Sequence, residues 1–339
     1  MARSLLTVDL GAVGRNVRTL LAALAGAELW AVVKADGYGH GAVDVGRAAL
    51  AAGAQALCVA TVAEALVLRS ELGPVRLVVL GPAAADEVSE ARAAGLELTV
   101  ADGRIPEGVR VHLKLDTGMG RWGLAELPAA TRDVVGLMSH LAVADADPAF
   151  TEEQVRRFRD ATAPFPHLTR HVANSAAALH HPSARFDAAR CGIALYGLSP
   201  FGDDPSAHGL QPVLAWESEL AQVKLLEPGA STGYGRRYVA AAPTWLGIVP
   251  VGYADGFRRD LTGTQVLVGG QPRPVVGTVS MDAFAVALDR ELPPGTPVTL
   301  LGRGVSAEAH AHVAGTINYE VVTGIRAAPE RARRVVVGA

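Results

Sequence analysis

Lys34 closes a short apolar run, Ala31 to Val33, and is followed at once by a glycine-rich turn, ADGYGHG. An amine at the rim of a buried strand loses solvation of its charged form, so its pKa falls and the neutral amine can add to a carbonyl carbon as a Schiff-base nucleophile. The same side chain could instead run along apolar surface to reach water, so Lys34 alone decides nothing. Other candidate residues lie at the ends of their own runs or, in the eighth, within it. Lys114 and Asp116 end VRVHLKLD, His140 ends VGLMSH, Asn174 and Ser175 follow LTRHV, and Arg190, Gly192 and Ile193 lie in ARCGIALYG. Singly, His140 would pass for a core histidine, Arg190 for an ion-pair partner and Ser175 for a helix N-cap. Gathered on one rim, a Schiff-base lysine, a cup of small residues for phosphate and an arginine facing both describe a site for pyridoxal phosphate (PLP).

The elements that must position these residues repeat one pattern. Apolar runs begin at Ala31, Ala56, Val75, Leu96, Val109, Val135, Leu168 and Ala189, and most are separated by alanine-rich amphipathic stretches such as VAEALVLRSEL and TEEQVRRFRDATA. Such alternation predicts parallel strands inside a ring of helices, a (β/α)8 barrel of the TIM type, whose chemistry gathers at the C-terminal ends of the strands. One connection departs from this: ADGRIPEG, before VRVHLKLD, is too short and too rich in Gly and Pro for a crossover helix. From Gln211 onward, alternating runs bounded by PG, GG and PP turns predict a mainly antiparallel β domain with one late helix around residues 307 to 317. The expected domains are therefore 1–210, the barrel, and 211–339, with the boundary near SPFGDDPSAHG.

Composition narrows the classes further. The chain has 339 residues, half of them apolar, and a formal net charge of −3, which argues against a basic surface for nucleic acid. Its two cysteines, Cys58 and Cys191, lack metal-ligand spacing, so neither a zinc cluster nor a disulfide framework is expected. No apolar run is long enough for a membrane span, and Asp9 interrupts the N-terminal stretch before a signal peptide could form; a cytoplasmic protein is expected.

The ordered set AVVKADGYGHGA, HLKLDTGMGRWG, SHLAVADA, HVANSAA, ARCGIALYGLSP, TGYGRRY, VGYADG, VSMDAF and TINYE resembles the motif series of the alanine racemases, PLP enzymes of fold type III. The resemblance runs from the first strand to Tyr319. It implies that Lys34 binds PLP and serves as base on one face of the substrate carbon, while Tyr234 serves the opposite face from the partner subunit of a head-to-tail homodimer. It further implies that Tyr38, Ser175, Gly192, Ile193 and Tyr319 hold the phosphate, that His140 and Asn174 belong to the cofactor site, and that Arg190 donates to the pyridine nitrogen. Arg121 would bind the substrate carboxylate, Lys114 occupies the position of a carbamylated lysine, and Tyr253, Met281 and Asp282 would narrow the substrate entrance across the interface. No metal is implied.

Two bases suit the reaction, because racemisation removes the Cα proton from one side and returns it on the other. The chain departs from the family in its trimmed connections before VRVHLKLD and VGLMSH, in Cys191 beside Arg190, and in the two arginines of TGYGRRY. An incomplete outer helical ring is therefore expected. Alternatives within the same fold are a racemase for serine or a broader set of amino acids, a PLP decarboxylase, and a non-catalytic PLP carrier. Arg190 argues against the decarboxylase, and the tyrosine motif of a second domain against the carrier.

Overall fold

The computed structural model describes residues 3–338. Two compact units emerge: Gly11–Gln211, and the chain up to Leu10 together with Pro212 onward.

In chain order the elements are β1 (Ser4–Asp9), α1 (Leu10–Leu24), β2 (Glu28–Val32), α2 (Lys34–Tyr38), α3 (Ala42–Ala51), β3 (Ala56–Val59), α4 (Val62–Leu72), β4 (Leu77–Val79), α5 (Glu87–Ala93), β5 (Glu97–Val100), β6 (Arg110–Lys114), β7 (Val134–Met138), α6 (Pro148–Thr162), β8 (Thr169–His171), α7 (Ser175–His180) and β9 (Ala188–Cys191). Strands β2 to β9 close into an all-parallel barrel, β9 returning to pair with β2. Nearly all their residues are buried, as strands packed on both faces must be, and this is why they read as apolar runs rather than alternating ones. The helices start where local chemistry allows. Thr61 and Glu64 form a capping box on α4, and Asp147 caps α6 ahead of Pro148 at the first helical position. Among the described residues no helix follows β5 or β6 before the next strand, so the ring is open there, as the trimmed connections led us to expect.

The second unit contains β10 (Leu214–Glu219), β11 (Gln222–Leu226), β12 (Ser231–Thr232), β13 (Tyr238–Val239), β14 (Thr244–Val249), β15 (Gln265–Val268), β16 (Gln271–Val276), β17 (Phe284–Leu288), β18 (Pro297–Leu301), α8 (Ala307–Ala314), α9 (Asn318–Thr323) and β19 (Ala332–Val337). One nine-stranded sheet runs β11-β14-β17-β16-β15-β18-β10-β1-β19. Here the structure departs from the expected 1–210 boundary. β1 lies in this sheet, antiparallel to β10 and parallel to β19, because its alternating burial offers one face to a core and one edge to each neighbour. Sequence alone did not indicate β19, whose basic ARRVVV pairs with a strand at the other end of the chain. The late helix is two short ones, divided after Gly315, which takes the left-handed conformation that ends α8.

Candidate active site

Lys34 emerges from the end of β2 into a turn of opposite hand. Ala35, Asp36, Gly37 and Tyr38 have φ of 51°, 49°, 61° and 54°, a left-handed stretch that costs about 1–2 kcal/mol for each residue other than glycine. Side chains on both sides hold it. Ala35 N donates to Glu64 Oε1 (2.7 Å), Ala42 N to Asp36 Oδ1 (2.9 Å), and the Tyr196 hydroxyl to Val32 O (2.9 Å). The turn delivers Tyr38 inward, its ring 4.8 Å from that of Tyr196 and its hydroxyl against Gly192. A Cβ at residue 192 would lie 2.4 Å from Tyr38 Oη, so only glycine fits. Gly192 N and Ala194 N donate to Ser175 Oγ at 3.0 and 3.4 Å, bringing the starts of α7 and of the turn after β9 to the same place. Burial pushes the Tyr38 phenol well above its ordinary pKa, so it stays a donor. A buried hydroxyl pair beside the glycine backbone is the donor set that a phosphate needs.

Cations crowd the same rim. Lys114 is buried at the end of β6, and the loop that follows folds back so that Asp116 accepts from the amides of Gly118, Met119 and Gly120 at 2.9 to 3.1 Å. This loop sets Trp122 with Lys114 Nζ and Arg121 Cζ each 5.5 Å from its ring centre. Arg190, buried in β9, donates to His171 Nδ1 (2.6 Å), His171 O (2.8 Å) and Ser139 O (2.6 Å), and reaches His140 Nδ1 at 3.5 Å. Burial, then Arg121, lowers the pKa of Lys34; burial, then Arg190 and Arg121, lowers Lys114 to about 8. Burial also pulls Arg190 to about 10, which still leaves it charged at neutral pH. Against these four cations the opposing carboxylates are Glu64 and Asp116. The excess of positive charge fits an occupant that brings its own anions, as a phosphate-bearing cofactor with a carboxylate-bearing substrate would.

The same field keeps His140 neutral: burial first, then Arg190 and Lys114, holds it down to about 3. Its folded pKa lies below the ~6.5 of a free imidazole, so the unfolded chain takes up the proton first as pH falls. The stabilisation is complete above ~6.5 and is lost on the way down toward the folded value, at about 1.4 kcal/mol per pH unit. His112 and His171, buried with lowered pKa values, act in the same direction. The melting temperature should therefore fall between about pH 7 and about pH 5, before most carboxylates titrate. A flat melting curve over that interval would contradict this reading.

The second unit presents its own group. Tyr234 is 72 % exposed, and its backbone carbonyl accepts from Thr278 Oγ1 at 2.9 Å. Tyr253 and Ala254 donate through their amides to Ser280 O and Met281 O, both at 3.0 Å, and Gly252 has no room for a Cβ beside those carbonyls. Three loops thus display Tyr234, Tyr253 and Met281 as exposed large side chains, while Asp282 is held by Arg3 and Arg331. Tyr319, half-buried, lies in the first turn of α9.

Comparison with known proteins places this architecture. The model for the alanine racemase N-terminal domain matches residues 8–200, and that for the C-terminal domain residues 213–335. The chain belongs to the alanine racemase family. Alanine racemase of Lactiplantibacillus plantarum is 41% identical, with 94% of each chain covered, and that of Ligilactobacillus salivarius 37%, again with 94% of each. Among solved structures, alanine racemase from E. faecalis superposes with a TM-score of 0.90 at 36% identity, covering 99% of this chain and 98% of that one. Alanine racemase from Bartonella henselae with covalently bound pyridoxal phosphate gives 0.88 at 27%, covering 99% and 100%.

Within this racemase fold, the barrel brings Lys34, Tyr38, Lys114, Arg121, His140, Ser175, Arg190, Gly192 and Ile193 to the C-terminal ends of its strands or the loops that follow. Asn174 does something more local: its Oδ1 accepts from Ala177 N at 3.0 Å and caps α7, the role expected of Ser175 if that residue were merely structural. Sequence reasoning missed Glu64, which braces the Lys34 turn, and His171, which grips Arg190. No helix among the described residues is long and apolar enough to cross a membrane, and none of them form a group of three or more His, Cys, Asp or Glu suited to a metal ion.

Proposed function

We propose that this chain interconverts L- and D-alanine by two-base proton transfer with PLP. The observation that carries the reading is the desolvated Lys34 beside the Tyr38–Ser175–Gly192 cup, in a rim of four cations. Lys34 would hold the cofactor's aldehyde carbon. Tyr38, Ser175, Gly192, Ile193 and Tyr319 would hold its phosphate, with His140 and Asn174 alongside and Arg190 donating to the ring nitrogen. When bound, the cofactor takes up electron density from the substrate carbon and so acidifies its Cα–H bond.

The chain's residues do the rest. Arg190 cannot supply a proton at neutral pH, so it would donate a hydrogen bond to the ring nitrogen without protonating it. Arg121 would hold the substrate carboxylate. Lys114, with a pKa near 8, keeps a neutral fraction of its amine, the form that can add carbon dioxide; the resulting carbamate would be an anion able to orient Arg121. Lys34 moves the proton on one face and Tyr234 on the other. Tyr234 would come from the partner subunit of a head-to-tail dimer, with Tyr253, Met281 and Asp282 narrowing the entrance, and its exposure in its own unit supports that arrangement. The Gly11–Gln211 unit would then carry the cofactor and the other unit the second base, in a cytoplasmic enzyme that supplies D-alanine for peptidoglycan precursors.

The test is direct. Incubate the PLP-loaded protein with each L-amino acid and resolve the products by chiral chromatography. Alanine should reach an equal mixture of enantiomers and do so faster than serine or larger substrates. No D-product, or faster conversion of serine, would overturn the assignment.

A further inference from the structure

Barrel interiors of this type are filled mostly by branched apolar side chains in layers. One layer here is polar. Glu97 from β5, His112 from β6, His171 from β8 and Arg190 from β9 are all buried, the first three at 2 % exposure or less. They bond in series: Arg190 Nη1 to His171 Nδ1 at 2.6 Å, His171 Nε2 to His112 Nδ1 at 2.9 Å, and His112 Nε2 to Glu97 Oε2 at 2.8 Å. Glu97 also meets Arg76 at 3.1 Å and Arg110 at 2.9 Å.

Arginine can only donate, and this sets the direction of the whole series. His171 Nδ1 must accept, so its proton sits on Nε2. That proton can go only to His112 Nδ1, which must accept in turn, leaving the His112 proton on Nε2 to face the carboxylate. Glu97 stays ionised. Burial alone would raise its pKa, but the His112 bond, Arg76 and Arg110 more than offset this. Three donors thus point one way, from a buried cation to a buried anion, and both rings are neutral in a single tautomer. Because Arg190 releases no proton, the series is a brace rather than a proton conduit.

The surroundings are shaped to it. Gly136 of β7 stands opposite His112, and a Cβ there would lie 2.2 Å from His112 Nδ1. Trp30 of β2 packs its ring 4.4 Å from His171 and 5.6 Å from His112, and Arg76 covers Trp30 at 4.4 Å. A strand without a side chain and a ring that walls the space leave the histidines little freedom to rotate.

We infer that Glu97, His112 and His171 are positioning residues for racemisation, fixing the Arg190 guanidinium through this one-directional series so that it faces the cofactor ring. The inference rests on the proposed role of Arg190, but the series itself can be read without turnover. In ¹⁵N spectra of histidine-labelled protein, both rings should show a bare Nδ1 and a protonated Nε2 across the neutral range; a charged ring or the other tautomer at either residue would overturn it, whatever the activity. Glu97→Gln should move the His171 Nδ1 resonance as well as that of His112, and a shift confined to His112 would refute transmission to Arg190. In kinetics, His171→Leu should lower kcat about 10- to 100-fold, by analogy with the loss when a partner that orients a metal-ligating side chain is removed, with KM for alanine changed less than about 2-fold. His171→Asn, whose Oδ1 can still accept near the Nδ1 position, should recover most of that loss. Equal losses in the two variants, or wild-type kcat in the Leu variant, would overturn positioning. Should the Leu variant fail to fold, the tautomer spectra of the wild-type chain decide the matter.

Discussion

Mixing Lys34→Ala chains with Tyr234→Phe chains should restore roughly a quarter of wild-type activity, by the symmetry of a two-fold dimer. Each variant alone should be nearly inactive, since loss of a positioned acid–base group costs about 10²- to 10⁴-fold. In a mixed dimer one site carries both lesions, and the other combines an intact lysine from one chain with an intact tyrosine from its partner. Random pairing makes about half the dimers mixed, each with one good site of two. The structure motivates this in two ways. Lys34 is half-buried at the end of β2 in one unit, whereas Tyr234 is 72 % exposed on a loop of the other. If Tyr234 served the lysine of its own chain, every site in the mixture would keep a lesion and nothing would return.

Much of the barrel was legible because all-parallel strands are buried on both faces and read as uninterrupted apolar runs. AVVK, ALCVAT and ARCGIALYG all fall on β2, β3 and β9 or their ends. The edges were less legible. β1 and β19 pair with each other in parallel although they lie at opposite ends of the chain, and no local pattern announces a partner so distant. WESELAQVKLL reads as one alternating stretch, yet Leu220 and Ala221 divide it into two strands whose partners differ.

In the site, the strand-end rule picks out Lys34, Lys114 and His140, because a polar residue that closes an apolar run stands out, and Arg190 stands out as the one charge within its run. It could not show that Tyr38 and Gly192 are in contact, since that depends on a left-handed turn at residues 35 to 38 which only Gly37 hints at. Nor could it single out Glu97, His112 and His171. Within a strand a charged residue normally signals the solvent face, and here that signal is inverted by ion pairs and bonds drawn from other strands. The residues of the second unit carried no physical signal of their own; Tyr234, Tyr253 and Met281 were marked by resemblance, and their shared exposure is what the structure adds.

The central claim is that two separate bases serve the two faces of the substrate carbon, and deuterium exchange with the Tyr234→Phe variant tests it most directly. Supply each alanine enantiomer separately in D₂O and follow loss of the Cα proton by ¹H NMR, with cofactor occupancy checked by absorbance. Lys34 remains in this variant, so the enantiomer it serves should still exchange its Cα proton while its configuration is retained. The other enantiomer should exchange about 10²- to 10⁴-fold more slowly than with the wild-type protein, the range for a missing acid–base group, and neither should racemise at a comparable rate. Equal loss of exchange from both enantiomers, with the cofactor still bound, would contradict the two-base account.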